Sequence, residues 1–87
     1  VLPVGRHEKT LLKILRGGSD ANIDFGDPRG LLLHLGFEER VRGSHHNFFK
    51  SGIEELINVQ RAGNQAKPYQ VRQVRAVLTK HGLGTIE

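Results

Sequence analysis

Two adjacent histidines, His45 and His46, follow a Gly43-Ser44 pair and begin a short segment of strand-like composition. An imidazole, whose ordinary pKa is about 6.5, can take a proton from a ribose 2′-hydroxyl, and RNA cleavage without a metal requires that step. Successive side chains of a strand point to opposite faces, so the two rings cannot both bind one metal ion without a bulge. The spacing permits histidine-based cleavage of RNA without showing it, and spacing alone favours a turn followed by a buried histidine.

The alternation along this segment predicts which side chains lie together. One set is predicted to pack under helices: His45, Asn47 and Phe49. The other set would then share the open face of the sheet, with His46 as the catalytic candidate, Phe48 stacking on a base and Lys50 holding a phosphate. The alternative interpretation is that both phenylalanines belong to the core.

The charge distribution favours a polyanionic partner. The chain of 87 residues has a net charge of +4, and residues 56–86 contain five Lys or Arg without one Asp or Glu. Residues 19–55 are mildly acidic, with seven acids against four bases. A basic surface of this kind indicates contact with nucleic acid, although an ordinary solvated helix face has the same composition. The predicted phosphate contacts are Lys50, Arg61, Lys67, Arg72 and Arg75.

The elements that must position these residues are read from hydrophobic spacing and from Gly and Pro. Helices are predicted over residues 7–16, over 28–35 with Asp27 as the N-cap, and from Pro68 to about Gly82. Strands are predicted over 37–42, 45–50 and 55–60. Arg61 to Lys67 is predicted to be a loop.

This order predicts an α+β fold. Residues 1–26 would supply an N-terminal helix and an acidic loop, and residues 27–87 an α-β-β-β-α unit with a three-stranded antiparallel sheet, all within a single module. The α-β-β-β-α arrangement is that of double-stranded-RNA-binding domains. One helix precedes the three strands in the sequence and one follows them. Together they would cover only one face of the sheet, which leaves the other face open.

Several classes of protein are disfavoured. The chain has no cysteine, which excludes a disulfide framework and a thiolate zinc site and favours the cytoplasm. The acidic residues 19–26 resemble a calcium loop, but Phe25 and Leu31 stand where that loop needs Gly and Glu. No apolar run approaches the roughly 18 to 20 residues of a membrane span, and residues 1–6 do not resemble a signal peptide. We therefore expect a cytoplasmic protein with no metal, no other cofactor and no membrane partner.

Three stretches, residues 31–37 (LLLHLGF), 42–48 (RGSHHNF) and 75–83 (RAVLTKHGL), resemble the HicA toxin family in order and spacing. The resemblance covers about residues 27–83. It implies a small ribonuclease of a toxin-antitoxin pair that cleaves single-stranded mRNA and is inhibited by a HicB-like antitoxin protein. The family's Gly-Ser-x-His motif implies that His46 is catalytic and that Gly43 and Ser44 support it. The N-terminal helix implies a longer branch of the family.

Two other functions stay open. One is an RNA-binding module of the same fold without activity. The other is a basic DNA-binding or regulatory domain, whose recognition helix would use Gln70, Arg72, Gln73 and Arg75. The predicted meander before this helix argues against a helix-turn-helix unit.

Overall fold

The computed structural model describes residues 5–83, which form three helices and one antiparallel sheet, and this confirms the α+β class. The elements are α1 (Arg6–Arg16), α2 (Gly26–His34), β1 (Glu38–Arg42), β2 (His45–Lys50), β3 (Ile53–Ala62), β4 (Gln65–Ala66) and α3 (Pro68–Lys80), with a short 3₁₀ turn at Asp20–Asn22. The strands lie in the order β1-β2-β3-β4, and every pair is antiparallel.

The hairpin that carries the two histidines agrees with the sequence prediction, and β2 has the predicted bounds. Gly43 and Ser44 form the two-residue turn between β1 and β2, and Gly43 has a φ of +58°. A glycine at the first central position supplies the positive φ that such a tight hairpin needs. The turn sets the register in which His46 lies opposite Val41.

The predicted loop from Arg61 to Lys67 is wrong. β3 runs on to Ala62, the chain turns at Gly63, and β4 returns beside it, so the sheet has four strands rather than three. The backbone N–H of Ala66 also donates to the carbonyl of Ile23, which ties β4 to the segment before α2. A strand of two residues is too short to show alternation in a sequence.

Helix α2 begins one residue before the predicted N-cap. Asp27 lies inside the first turn, where the helix dipole favours a carboxylate, and it accepts a hydrogen bond from Arg6 of α1 at 3.3 Å. Phe25 takes the N-cap position, and its side chain caps no backbone N–H. Within residues 5–83, no helix has the length and apolar content of a membrane span.

The helices and one face of the sheet share a single core. Leu11 and Ile14 of α1 are buried in the same cluster as α2, α3 and the sheet. Helix α3 contributes its apolar side to this core, because Val71, Val74, Val77 and Leu78 are all buried. The N-terminal helix therefore packs as part of the same module.

The predicted faces of β2 are inverted. Phe48 is completely buried opposite Ile57, so Phe48 and His46 face the helices, whereas His45 and Phe49 lie on the other face. A one-residue slip exchanges the two faces of a strand. Because Phe48 and Phe49 are adjacent, the alternation of the sequence does not show which of them is buried. Packing against α2 and α3 makes the choice. We call the sheet face away from the helices the open face.

Candidate active site

His46 is the second residue of β2 and lies at the margin of the core. Its side chain is 19% exposed, and its ring meets the edge of Phe25 with 4.6 Å between the ring centroids. Phe25 precedes α2 and is buried. The ring of His46 therefore packs against an aromatic side chain. It does not lie on the open face of the sheet, which corrects the expected position of His46.

Nδ1 of His46 lies 2.9 Å from Oε2 of Glu39, which is diagonal to it across the β1-β2 pair. The hydrogen bond from Arg29, and then that from His46, lower the pKa of Glu39 below its ordinary value. An ionised carboxylate can only accept, so Nδ1 must carry the proton. In the neutral ring, Nε2 is then the nitrogen with the free lone pair.

Glu39 is itself clamped from α2. Arg29 donates two hydrogen bonds to the carboxylate, from Nε at 2.7 Å and from an Nη atom at 2.8 Å. Such a two-point contact fixes the plane of the carboxylate as well as its position. The direction of the His46 ring therefore depends on a chain of contacts that begins in α2.

The distal nitrogen of His46 is open to solvent. Within residues 5–83, Oδ1 of Asn58 is the one buried side-chain polar atom that lacks a hydrogen-bond partner. Nε2 of His46 has no partner in this part of the chain either, so it must be accessible. No described hydrogen bond of the protein therefore has to break before a substrate hydroxyl bonds to this atom.

A second cation lies beside the site. The guanidinium of Arg61, at the end of β3, stacks over the ring of Phe25 at 4.4 Å from its centroid. Phe25 thus contacts both His46 and Arg61, which places an exposed cation near the imidazole. Sequence reasoning predicted Arg61 as a phosphate contact, and in the structure Arg61 contacts the same aromatic ring as His46.

Comparison of the chain with protein-family models, curated proteins and solved structures finds no match. The case for a function therefore rests on the chemistry of these side chains.

Two predicted RNA contacts are corrected. Phe48 is fully buried in the core and offers no face to a base. Arg75 is tied to the carboxylate of Asp20 by hydrogen bonds at 2.9 and 3.0 Å and to the carbonyl of Ile14 at 3.0 Å. This guanidinium joins α3 to the segment after α1, and three of its five N–H donors are already in use.

The other predicted cations have no described contact with His46 or with its neighbours Glu39 and Phe25. Nζ of Lys67 donates to Gln60 at 3.4 Å, and Lys50 lies beside Gly36 at the end of α2. Arg72 is exposed on α3. Five cations were predicted to bind phosphates. Among the contacts described for residues 5–83, only Arg61 touches a side chain, that of Phe25, which also touches His46.

Sequence reasoning missed Glu39, Arg29 and Phe25. Glu39 was detectable, because a strict period of two puts it on the same face as Phe37 and Val41, where a charged side chain is out of place. Arg29 and Phe25 gave no such signal, since only packing brings α2 and its entry segment onto the sheet. In the described part of the chain, no three His, Asp or Glu side chains are grouped as metal ligands.

Proposed function

We propose that the protein is a metal-independent endoribonuclease that cleaves single-stranded mRNA, with His46 as its general base. The observation that carries this proposal is the ionised Glu39 at Nδ1 of His46, which leaves Nε2 exposed beside a cation. A carboxylate that fixes the tautomer and orientation of an imidazole is the arrangement found in enzymes that use histidine as a base.

The chemistry is an internal attack within the RNA. Nε2 of His46 takes the proton of a 2′-hydroxyl, the 2′-oxygen forms a bond to the adjacent phosphorus, and the bond from phosphorus to the 5′-oxygen breaks. The 5′-oxygen leaves with a proton from water. The products are a 2′,3′-cyclic phosphate end and a 5′-hydroxyl end. Arg61 is placed to offset the negative charge that develops on the phosphate oxygens.

The order α2-β1-β2-β3-α3 supports a layout like that of double-stranded-RNA-binding domains, to which α1 and β4 are added. Together with the Gly43-Ser44-His45-His46 turn, it supports the proposal that the protein is a HicA-type toxin acting in the cytoplasm. A HicB-like antitoxin protein would then be its inhibitor.

The test is a pair of substitutions on opposite faces of one strand. His46→Ala should slow cleavage of single-stranded RNA about 100-fold or more, the scale of a positioned base, and should leave RNA affinity within about twofold. His45→Ala is the matched control, because His45 lies exposed on the open face, and at saturating RNA it should retain the parental rate. Rates are measured with a chelator present, and the products are examined for cyclic phosphate ends.

Equal rates for His46→Ala and the parent protein would refute the catalytic role. RNA binding without cleavage by the parent would favour the non-catalytic binding module. Cleavage that stops with the chelator and returns with a divalent ion would refute the histidine mechanism.

A further inference from the structure

The open face carries a polar and aromatic patch that the proposed cleavage site does not use. Its residues come from three neighbouring strands, and we call them the open-face patch: Arg40, Arg42, His45, Asn47, Phe49 and Asn58. They alternate in sequence with residues that face the helices. His45 and His46 are adjacent, so the patch and the cleavage site lie on opposite faces but begin at the same hairpin.

The patch has a stacking platform. The guanidinium of Arg40 lies over the ring of Phe49, 5.4 Å from its centroid, across the β1-β2 pair. Arg40 is exposed and Phe49 is half-buried. Because guanidinium planes and aromatic rings both stack on bases, a base can extend this pair from the solvent side.

Hydrogen-bonding groups lie next to this platform. Asn47 and Asn58 are direct partners across the β2-β3 pair, and the amide of Asn58 contacts Nδ1 of His45 at 3.3 Å. Oδ1 of Asn58 has no partner, although it is removed from solvent. Amide and imidazole groups match the donors and acceptors on the edges of bases.

The character of the patch favours RNA over a protein partner. Arg40 and Arg42 are exposed cations, which complement phosphates, whereas the exposed acids of this face, Glu38 and Glu54, lie toward the end of the sheet away from the Gly43-Ser44 turn. A protein interface would need an apolar centre, whereas Leu56 is the one exposed large aliphatic side chain described on this face.

We propose that the open-face patch binds bases of single-stranded RNA, with one base stacked on the Arg40-Phe49 pair. The proposal rests on RNA as the substrate of the proposed function, and it adds a second RNA-contacting surface on the opposite side of the sheet from His46. A strand bound there reaches the cleavage site by passing around the hairpin end of the sheet or around its β1 edge. Long RNA therefore binds through both faces, and a dinucleotide engages only the cleavage site.

The test measures binding of a labelled single-stranded 2′-O-methyl RNA, which cannot be cleaved, by fluorescence anisotropy. Phe49→Leu, which keeps apolar volume, and Arg40→Ala should each bind about 5- to 100-fold more weakly, the range for losing one stacking contact. Arg16→Ala removes an exposed cation from α1 and is the control. It should bind within about twofold of the parent protein.

Cleavage of a dinucleotide separates this proposal from the proposed function. The Phe49→Leu and Arg40→Ala proteins should cleave it at the parental rate, and that rate also shows that they are folded. If the parent cleaves no RNA while these variants still lose affinity, the cleavage proposal fails and the binding surface stands. Unchanged affinity in both variants, an equal loss in Arg16→Ala, or no binding by the parent would each overturn the open-face proposal.

Discussion

Residues 5–83 contain two glutamate–histidine pairs, and they differ in which ring nitrogen the carboxylate holds. Glu39 binds Nδ1 of His46 at 2.9 Å, whereas Glu55 binds Nε2 of His81 at 2.8 Å. The two rings are about equally exposed, at 19% and 20% of the side chain. Burial of the imidazole ring therefore does not distinguish the two pairs.

The free nitrogen does distinguish them. Nε2 is the distal atom of the ring, and in His46 it is left to face solvent. In His81 the distal atom is already taken, and the remaining nitrogen, Nδ1, lies next to the residue's own backbone at the end of α3. The first arrangement orients a base toward a ligand, and the second fastens a helix end to β3.

The carboxylates are also held differently. Arg29 grips Glu39 at two points, and the carboxylate is 12% exposed. Glu55 is 28% exposed and shares its second oxygen with Lys80 at 3.0 Å. A planar, two-point contact fixes a carboxylate more tightly than a flexible ammonium does. The comparison indicates that a Glu–His pair becomes a candidate base only when the proximal nitrogen is anchored and the carboxylate is itself fixed.

The largest expected difference between the pairs is in cleavage rate. Glu39→Gln should cleave RNA about 10-fold to 10⁴-fold more slowly, because the amide releases the ring to the wrong tautomer. Glu55→Gln makes the same chemical change at the other pair and should stay within about twofold of the parent. Rates are measured on the same single-stranded RNA, with affinity for uncleavable RNA as a second readout.

Arg29→Ala separates positioning from folding in this experiment, since it removes the clamp but keeps the contact between Glu39 and His46. It should lose less activity than Glu39→Gln. Equal losses in Glu39→Gln and Glu55→Gln would show that the two pairs are both structural.

A smaller difference is expected in the salt dependence of RNA binding. Arg61 lies beside His46 and should contact a phosphate, so Arg61→Ala should flatten the slope of log K against log salt by about 0.7. Lys80→Ala removes a cation from the other pair and should leave the slope unchanged. Titrations of uncleavable RNA at several salt concentrations measure both slopes. The same flattening in both variants would mean that the basic third of the chain attracts RNA through its summed charge rather than through individual phosphate contacts.

The smallest expected effect concerns stability in acid. The hydrogen bond from His81, followed by that from Lys80, lowers the pKa of Glu55 from 4.5 to about 2. A carboxyl whose pKa is lowered in the folded state contributes stability that is complete above its unfolded pKa and is lost as the pH falls through the folded one. The free energy of unfolding should therefore decline between about pH 4.5 and pH 2.

Urea unfolding at a series of pH values tests this, with Glu55→Gln as the comparison. The variant should show a shallower decline, because it lacks the titrating group. The difference should be modest, since exposed ion pairs contribute little to stability. Parallel curves for the two proteins would show that Glu55 has no part in the acid response, and Glu39 and Asp20, whose pKa values are also lowered, would be examined next.

Several parts of the fold were predictable from local pattern. The helices α1 and α3 and the bounds of β2 follow from hydrophobic spacing and from Gly and Pro, because these signals act over a few neighbouring residues. The Gly43-Ser44 turn was predictable for the same reason. β4 was not, since its two residues pair only after β3 and the segment before α2 are in place.

The candidate site divides in the same way. The sequence alone shows that a histidine, His46, comes shortly after a tight turn. It also shows the surplus of Lys and Arg in the last third of the chain. The face of β2 on which His46 lies depended on whether Phe48 or Phe49 entered the core, and only packing against the helices makes that choice. Arg29, ten residues before Glu39, reaches it because α2 folds back onto β1. Alternation along one strand carries no information about such contacts, since they are set by the burial of apolar area over the whole core.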